Sequence, residues 1–199
     1  MLSSLKVLAA VGLLALNVAA EKIEAPPENV MVDLNFNDHI VDDWYLQTID
    51  SDYFMDITNA EWKDGSLDPA LRVGEITGTK GTGQAIVKYK PSFDLELGEE
   101  YQIQFSARSS YVESSGKVVP AFGSNFGDWL QFTVFNQNGN IFVAWPGKGD
   151  YYEKEWYQWR YRFTVASGQD GPGYFGIIVH PTGTSVDWSF DDVSIIKVP

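Results

Sequence analysis

Two carboxylates stand side by side at Asp191 and Asp192, inside a run from Val186 to Ile196 that is otherwise rich in aromatic and β-branched residues. A strand of that composition buries side chains. An unpartnered buried carboxylate is too costly to keep, so the pair requires a bulge, a cation or a hydrogen-bonding partner. A second chemical set is the four arginines, Arg72, Arg108, Arg160 and Arg162, each set between apolar neighbours at period two. Their guanidinium forks suit paired hydrogen bonds to hydroxyl groups, and equally a cross-strand ladder with Asp56 or Asp187 that only steadies a sheet. The third set is the seven tryptophans. A ring exposed at a strand end stacks on the apolar CH face of a sugar while Gln, Asn, Asp and Arg bond its hydroxyls. Trp62 stands just before Lys63-Asp64-Gly65, Trp129 follows Phe126-Gly127-Asp128, and Trp145 leads into Pro146-Gly147. Rings beside such loops are the candidate platforms.

Catalytic constellations are thin. A glycosidase needs two carboxylates held across a groove, whereas Asp191 and Asp192, as neighbours on a strand, are expected to point to opposite faces. The chain has no cysteine, its only imidazoles are His39 and His180, and it carries no nucleophile elbow, phosphate loop or His-Glu-x-x-His. An enzyme is not the expectation, and a small glycan-active one is the least favoured reading.

The elements that must position these groups are strands. Tyr101, Ile103, Phe105 and Ala107 alternate with Gln102, Gln104, Ser106 and Arg108, the pattern of a half-buried strand. Tyr157, Trp159, Tyr161, Phe163 and Val165 alternate in the same way with Gln158, Arg160, Arg162 and Thr164, and Phe175, Ile177 and Val179 do so with Tyr174, Gly176 and His180. Trp159 therefore belongs to the core. Turn clusters such as Asn136-Gln137-Asn138-Gly139-Asn140 and Ser167-Gly168-Gln169-Asp170-Gly171 punctuate the runs. Many short strands so punctuated predict an all-β protein, an antiparallel β-sandwich.

Residues 1–20 carry one Lys, an apolar stretch from Val7 to Leu16 and the small residues Val18-Ala19-Ala20, the pattern of a secretory signal peptide. That stretch is too short to span a bilayer comfortably, and no second long apolar run follows, so no membrane span is expected. Residues 21–28 read as an extended leader, and 29–199 as one domain in a secreted, extracellular protein without disulfides. A formal net charge of −13 argues against nucleic acid and anionic membrane surfaces as partners and for neutral ones.

The closing Asp191-Asp192-Val193-Ser194 strand resembles the ending of jelly-roll carbohydrate-binding modules of families 4, 9 and 22, which have the galactose-binding-like fold. Asn29 to Asn37 followed by Trp44 resembles the opening strand of those modules, Pro69-Ala70-Leu71-Arg72-Val73 their second motif, and Leu97 to Arg108 and Glu155 to Thr164 their two central strands. The resemblance implies a jelly roll in which Trp44, Trp156 and Trp188 pack inside. It further implies a groove on one sheet that binds a neutral polysaccharide or oligosaccharide, with Trp62, Trp129 and Trp145 stacking and Gln104, Arg108 and Arg160 hydrogen bonding. It also implies a structural calcium (Ca2+) held by Asn35, Asn37 and Asp191, with the Lys63-Asp64-Gly65 turn nearby. The family often has an acid where this chain has Asn37, which weakens such a site, and Asp192 is an alternative ligand. The runner-up function is an adhesion or extracellular-matrix protein whose sandwich binds protein or packs with its own copies.

Overall fold

Period-two alternation makes each apolar run a strand with one greasy face, and burying those faces against each other produces two antiparallel sheets. The computed structural model describes residues 29–36, 41–49, 53–61, 67–75, 84–112, 118–120, 130–145, 150–151, 156–180 and 187–199. The expected signal peptide and leader (1–20 and 21–28), Asn37, Trp62, the Lys63-Asp64-Gly65 turn and Trp129 lie outside the described residues. Apart from one 3-10 turn at Val41–Asp43, the described residues form strands and their connections. Among them no helix is long and apolar enough to cross a membrane.

The first sheet contains β1 (Val30–Leu34), β3 (Tyr53–Glu61), β4 (Leu67–Glu75), β7 (Glu100–Val112), β8 (Val118–Pro120), β11 (Asp150–Tyr151), β12 (Tyr157–Thr164) and β14 (Asp187–Lys197). Its order is β11-β12-β7-β14-β4-β3, with β1 beside β14 and β8 beside β7. The second sheet contains β2 (Trp44–Ile49), β5 (Gln84–Tyr89), β6 (Phe93–Leu95), β9 (Leu130–Asn136), β10 (Gly139–Ala144) and β13 (Gly171–Val179). Its order is β10-β9-β13-β5-β2, with β6 beside β13. The chain repeatedly crosses between the sheets, which makes the sandwich a jelly roll.

Aromatic rings fill the space between the sheets. Phe105 of β7 meets Phe132 of β9 with ring centroids 3.4 Å apart, and Trp159, Tyr161, Phe175 and Phe190 surround this pair at 5.3 to 6.2 Å. The expected inward positions Tyr101, Ile103, Phe105, Ala107, Trp159, Phe175, Ile177, Val179 and Trp188 are all buried. The Asn136 to Asn140 cluster does form the β9–β10 turn. The Asn136 side chain accepts from the Asn138 amide at 2.8 Å, and Gly139 sits at φ 125°, a backbone conformation only glycine takes without strain.

The terminal strand carries a bulge. Asp191 faces Ser106 of β7 while Ser194 faces Gln104, so β14 fits one more residue than β7 between these two pairings. Asp192 takes φ 51° there. The bulge lies where β14 changes neighbour: residues 187–190 pair with β4, and residues 193–196 pair with β1.

Candidate functional site

On β7 the residues that alternate with the core ones, Gln102, Gln104, Ser106 and Arg108, stand on the outer face of the first sheet. Register then decides their partners. β12 lies beside β7 with Arg162 opposite Gln102, Arg160 opposite Gln104 and Gln158 opposite Ser106. Arg160 Nε donates to Gln104 Oε1 at 2.8 Å, and its terminal nitrogen donates to Gln158 Oε1. Gln158 Nε2 donates to Ser106 Oγ at 3.5 Å, and Ser106 Oγ to Asp192 Oδ2 at 3.4 Å. Arg162 Nε donates to Gln102 Oε1 at 3.4 Å, and its Nη1 lies 3.5 Å from Glu100 Oε2. An amide, hydroxyl and guanidinium network therefore crosses three strands, β12, β7 and β14.

The network has a wet rim and a dry floor. Gln102, Ser106, Gln158 and Asp191 are buried, Gln104, Arg108 and Arg160 half-buried, and Arg162 exposed. Trp156 departs from expectation. It is buried, but with Ala60 and Ala70 in a small cluster separate from the main core. It precedes the inward Tyr157 and so takes the opposite, polar face, where the Arg108 guanidinium lies 5.5 Å from its ring centre.

Arg72 serves the sheet instead. It forms a forked pair with Asp56, at 2.9 and 2.6 Å, and lies 3.7 Å from Asp187. Its guanidinium covers the Phe54 ring at 4.8 Å. Phe54 in turn lies across Gly74, and a Cβ on Gly74 would overlap that ring. The cross-strand ladder weighed from the sequence thus holds for this arginine.

The Asp pair does not alternate as neighbouring strand residues do, which corrects the expectation that the two side chains point apart. Positive φ at Asp192 brings its carboxylate to Ser106, the residue that faces Asp191, and the Asp192 amide donates to Asp191 Oδ1 at 2.8 Å. The Asp191 side chain is 5 % exposed. Burial, with Asp192 and Asp68 adding repulsion against the single backbone hydrogen bond, pushes its carboxyl up to about 7. Asp187, paired less closely with Arg72, is also raised by burial. The pairing of Leu34 with Val193 directs the end of β1, and with it Asn35, toward the bulge. Hard oxygen donors beside a buried carboxylate have the chemistry a calcium ion takes.

The structure thus places Gln104, Arg108 and Arg160 on one face and pairs the end of β1, at Leu34, with Val193 beside the bulge. It does not bring Trp145 to them. Trp145 follows β10 of the other sheet and stacks on His180, with centroids 5.5 Å apart and planes at 20°. Gln158 and Ser106 join the network without having been singled out from the sequence, and Asp192, weighed there as an alternative calcium ligand, joins it through Ser106. Gln158 and Ser106 share the alternation of Arg160 and Gln104, and that pattern was the signal for them. The role of Asp192 depended on the bulge.

Compared by sequence, the chain matches no protein-family model and no curated protein. Compared by structure, it is similar to a family 4 carbohydrate-binding module, with TM-score 0.50, 14% identity, and coverage of 78% of this chain and 86% of that one. The tandem family 22 modules of a Paenibacillus barcinonensis protein match with TM-score 0.52 and 15% identity over 88% of this chain and 52% of theirs. The fold is that of the carbohydrate-binding jelly rolls. An exo-β-agarase matches with TM-score 0.57 and 11% identity over 85% of this chain. The jelly roll spans only 25% of that enzyme. The Arg–Gln network therefore sits on the outer face of one sheet of a jelly roll, with the Asp bulge beside it on β14.

Proposed function

We propose that the protein is a secreted, non-catalytic binder of neutral polysaccharide or oligosaccharide, with Arg160, Gln104, Gln158 and Arg108 holding sugar hydroxyls on the outer face of the first sheet. The observation that carries this reading is the cross-strand Arg160–Gln104–Gln158 network. A sugar hydroxyl both donates and accepts, and guanidinium and amide groups held in register offer both functions with little ordering left to complete on binding. The acidic remainder of the chain, net −13, disfavours anionic ligands. Similarity to carbohydrate-binding modules supports the same class of partner. We further propose that calcium braces the end of β1 against the β14 bulge through Asp191 and Asn35, with Asn37 as a third ligand.

A glycan array with the mature protein, in calcium and in chelator, tests the reading. Arg160→Ala and Gln104→Ala should each weaken the best glycan about tenfold, the loss of one or two hydrogen bonds to a charged or buried group, with the melting temperature little changed. Binding to no glycan, or variants that bind like the parent protein, would overturn it. For calcium, an Asp191→Ala protein that melts like the parent in both calcium and chelator removes the ligand assignment.

A further inference from the structure

The arginines set the direction of every hydrogen bond in the cross-strand network. A guanidinium carries five N–H donors and no acceptor, so an amide that pairs with it turns its carbonyl toward it. Gln104 does so toward Arg160 Nε at 2.8 Å, Gln158 toward a terminal nitrogen of Arg160, and Gln102 toward Arg162 Nε at 3.4 Å. The Gln158 NH2 then donates to Ser106 Oγ at 3.5 Å, and the Ser106 hydroxyl to Asp192 Oδ2 at 3.4 Å. This chain runs one way, from β12 across β7 to the β14 bulge. Gln104 is a branch that ends. Its carbonyl faces Arg160, and its NH2, on the other side of the amide, is half-buried and has no acceptor among the described residues.

Taking the glycan reading above as given, we propose that this face reads the carbonyl oxygens of a neutral glycan whose hydroxyls are partly replaced by acetyl groups, as acetamido or O-acetyl substituents, with Gln104 Nε2 as the selecting donor. Amide and guanidinium groups carry both hydrogen-bond functions between them, but once paired with each other they leave N–H groups in excess of carbonyls. A hydroxyl that accepts from Gln104 still has its own proton to place, and an O–H that loses water without gaining a partner is costly. A carbonyl brings lone pairs and no proton. It satisfies the amide and leaves nothing unpaired. A carboxylate would accept as well, but acids already stand among these arginines: Glu100 Oε2 lies 3.5 Å from Arg162 Nη1, Asp191 faces Ser106, Asp192 accepts from it, and Asp150 pairs with Gln158 across β11 and β12. In a chain of net charge −13 they repel an anionic sugar, and a neutral carbonyl escapes that repulsion.

Ligands matched in pairs test the inference. Chitohexaose and cellohexaose share their linkage and differ at C2, acetamido against hydroxyl; acetylated xylan and the same xylan after alkaline deacetylation differ in their O-acetyl groups. In titration calorimetry the parent protein should bind the acetyl-bearing member of one pair about tenfold more tightly, the worth of one hydrogen bond that leaves no orphan proton, and the pair that shows it identifies amide or ester as the source. Gln104→Glu keeps an oxygen for Arg160 and removes the NH2, so it should abolish that preference while the melting temperature holds. A parent that binds both members of each pair equally, or that binds only glycans without acetyl groups on the array, overturns the inference and leaves the glycan reading standing. A Gln104→Glu protein that melts like the parent and keeps the preference overturns it as well. Tighter binding to oligogalacturonate than to the acetylated sugars would mean that a carboxylate is read, and would also overturn it. A parent that binds no glycan at all overturns both readings.

Discussion

The buried carboxyl of Asp191 makes stability depend on pH in a direction opposite to that of ordinary carboxylates. In metal-free protein its pKa rises from 3.8 to about 7 through burial, so the folded state holds the proton that the unfolded state has released. The stabilisation is complete below pH 3.8 and is lost as pH rises through 7. At about 1.36 kcal/mol per unit, the difference amounts to about 4 kcal/mol between pH 4 and pH 8, an upper bound for a carboxyl that keeps one backbone hydrogen bond. Asp191→Asn keeps the acceptor for the Asp192 amide and removes the titration. Urea unfolding followed by tryptophan emission, in chelator at pH 4, 5, 6, 7 and 8, reads both proteins. The stability of Asp191→Asn relative to the parent should rise by a few kcal/mol over that range, because other acids cancel in the comparison. Calcium should reverse the order at pH 7 to 8, since the ion favours the parent's carboxylate by mass action. Parallel profiles in chelator, within about 0.5 kcal/mol, would refute the reasoning: Asp191 would then be ionised in the folded state at no cost, and the burial argument wrong.

Three further outcomes bear on the packing. Trp159→Ala empties part of the ring cluster around Phe105 and should cost about 3 to 5 kcal/mol in a denaturant titration; a loss under 1 kcal/mol would deny it a core role. Gly74→Ala sets a methyl against the Phe54 ring and Asp187, and should cost about 1 to 3 kcal/mol by overpacking, with a lowered melting temperature. Asp56→Ala removes the forked partner of Arg72, but the two side chains are 42% and 33% exposed, so the expected loss is about 1 kcal/mol or less and shrinks in salt.

Alternation by itself determined the strands and their buried faces, because the period of a strand is a local property: Tyr101 to Ala107, Tyr157 to Val165 and Phe175 to Val179 could be sorted into inside and outside without a partner strand. The resemblance of five short motifs to carbohydrate-binding modules carried the jelly roll. The Asp191-Asp192 step announced that something irregular was required, and a bulge met it. Only the tertiary structure decided which irregularity and which partners. That Arg160 faces Gln104 depends on the register of β12 on β7, a pairing of residues 56 apart in the chain that no local pattern contains. Alternation put Asp191 and Asp192 on opposite faces, and the positive φ that reunites them follows from β14 changing neighbour from β4 to β1. Trp156 reads as core by motif, yet its place one residue before the inward Tyr157 turns it to the polar face. Trp145 shares its loop-flanking character with Trp62 and Trp129, and only the membership of β10 in the second sheet separates it from the arginines.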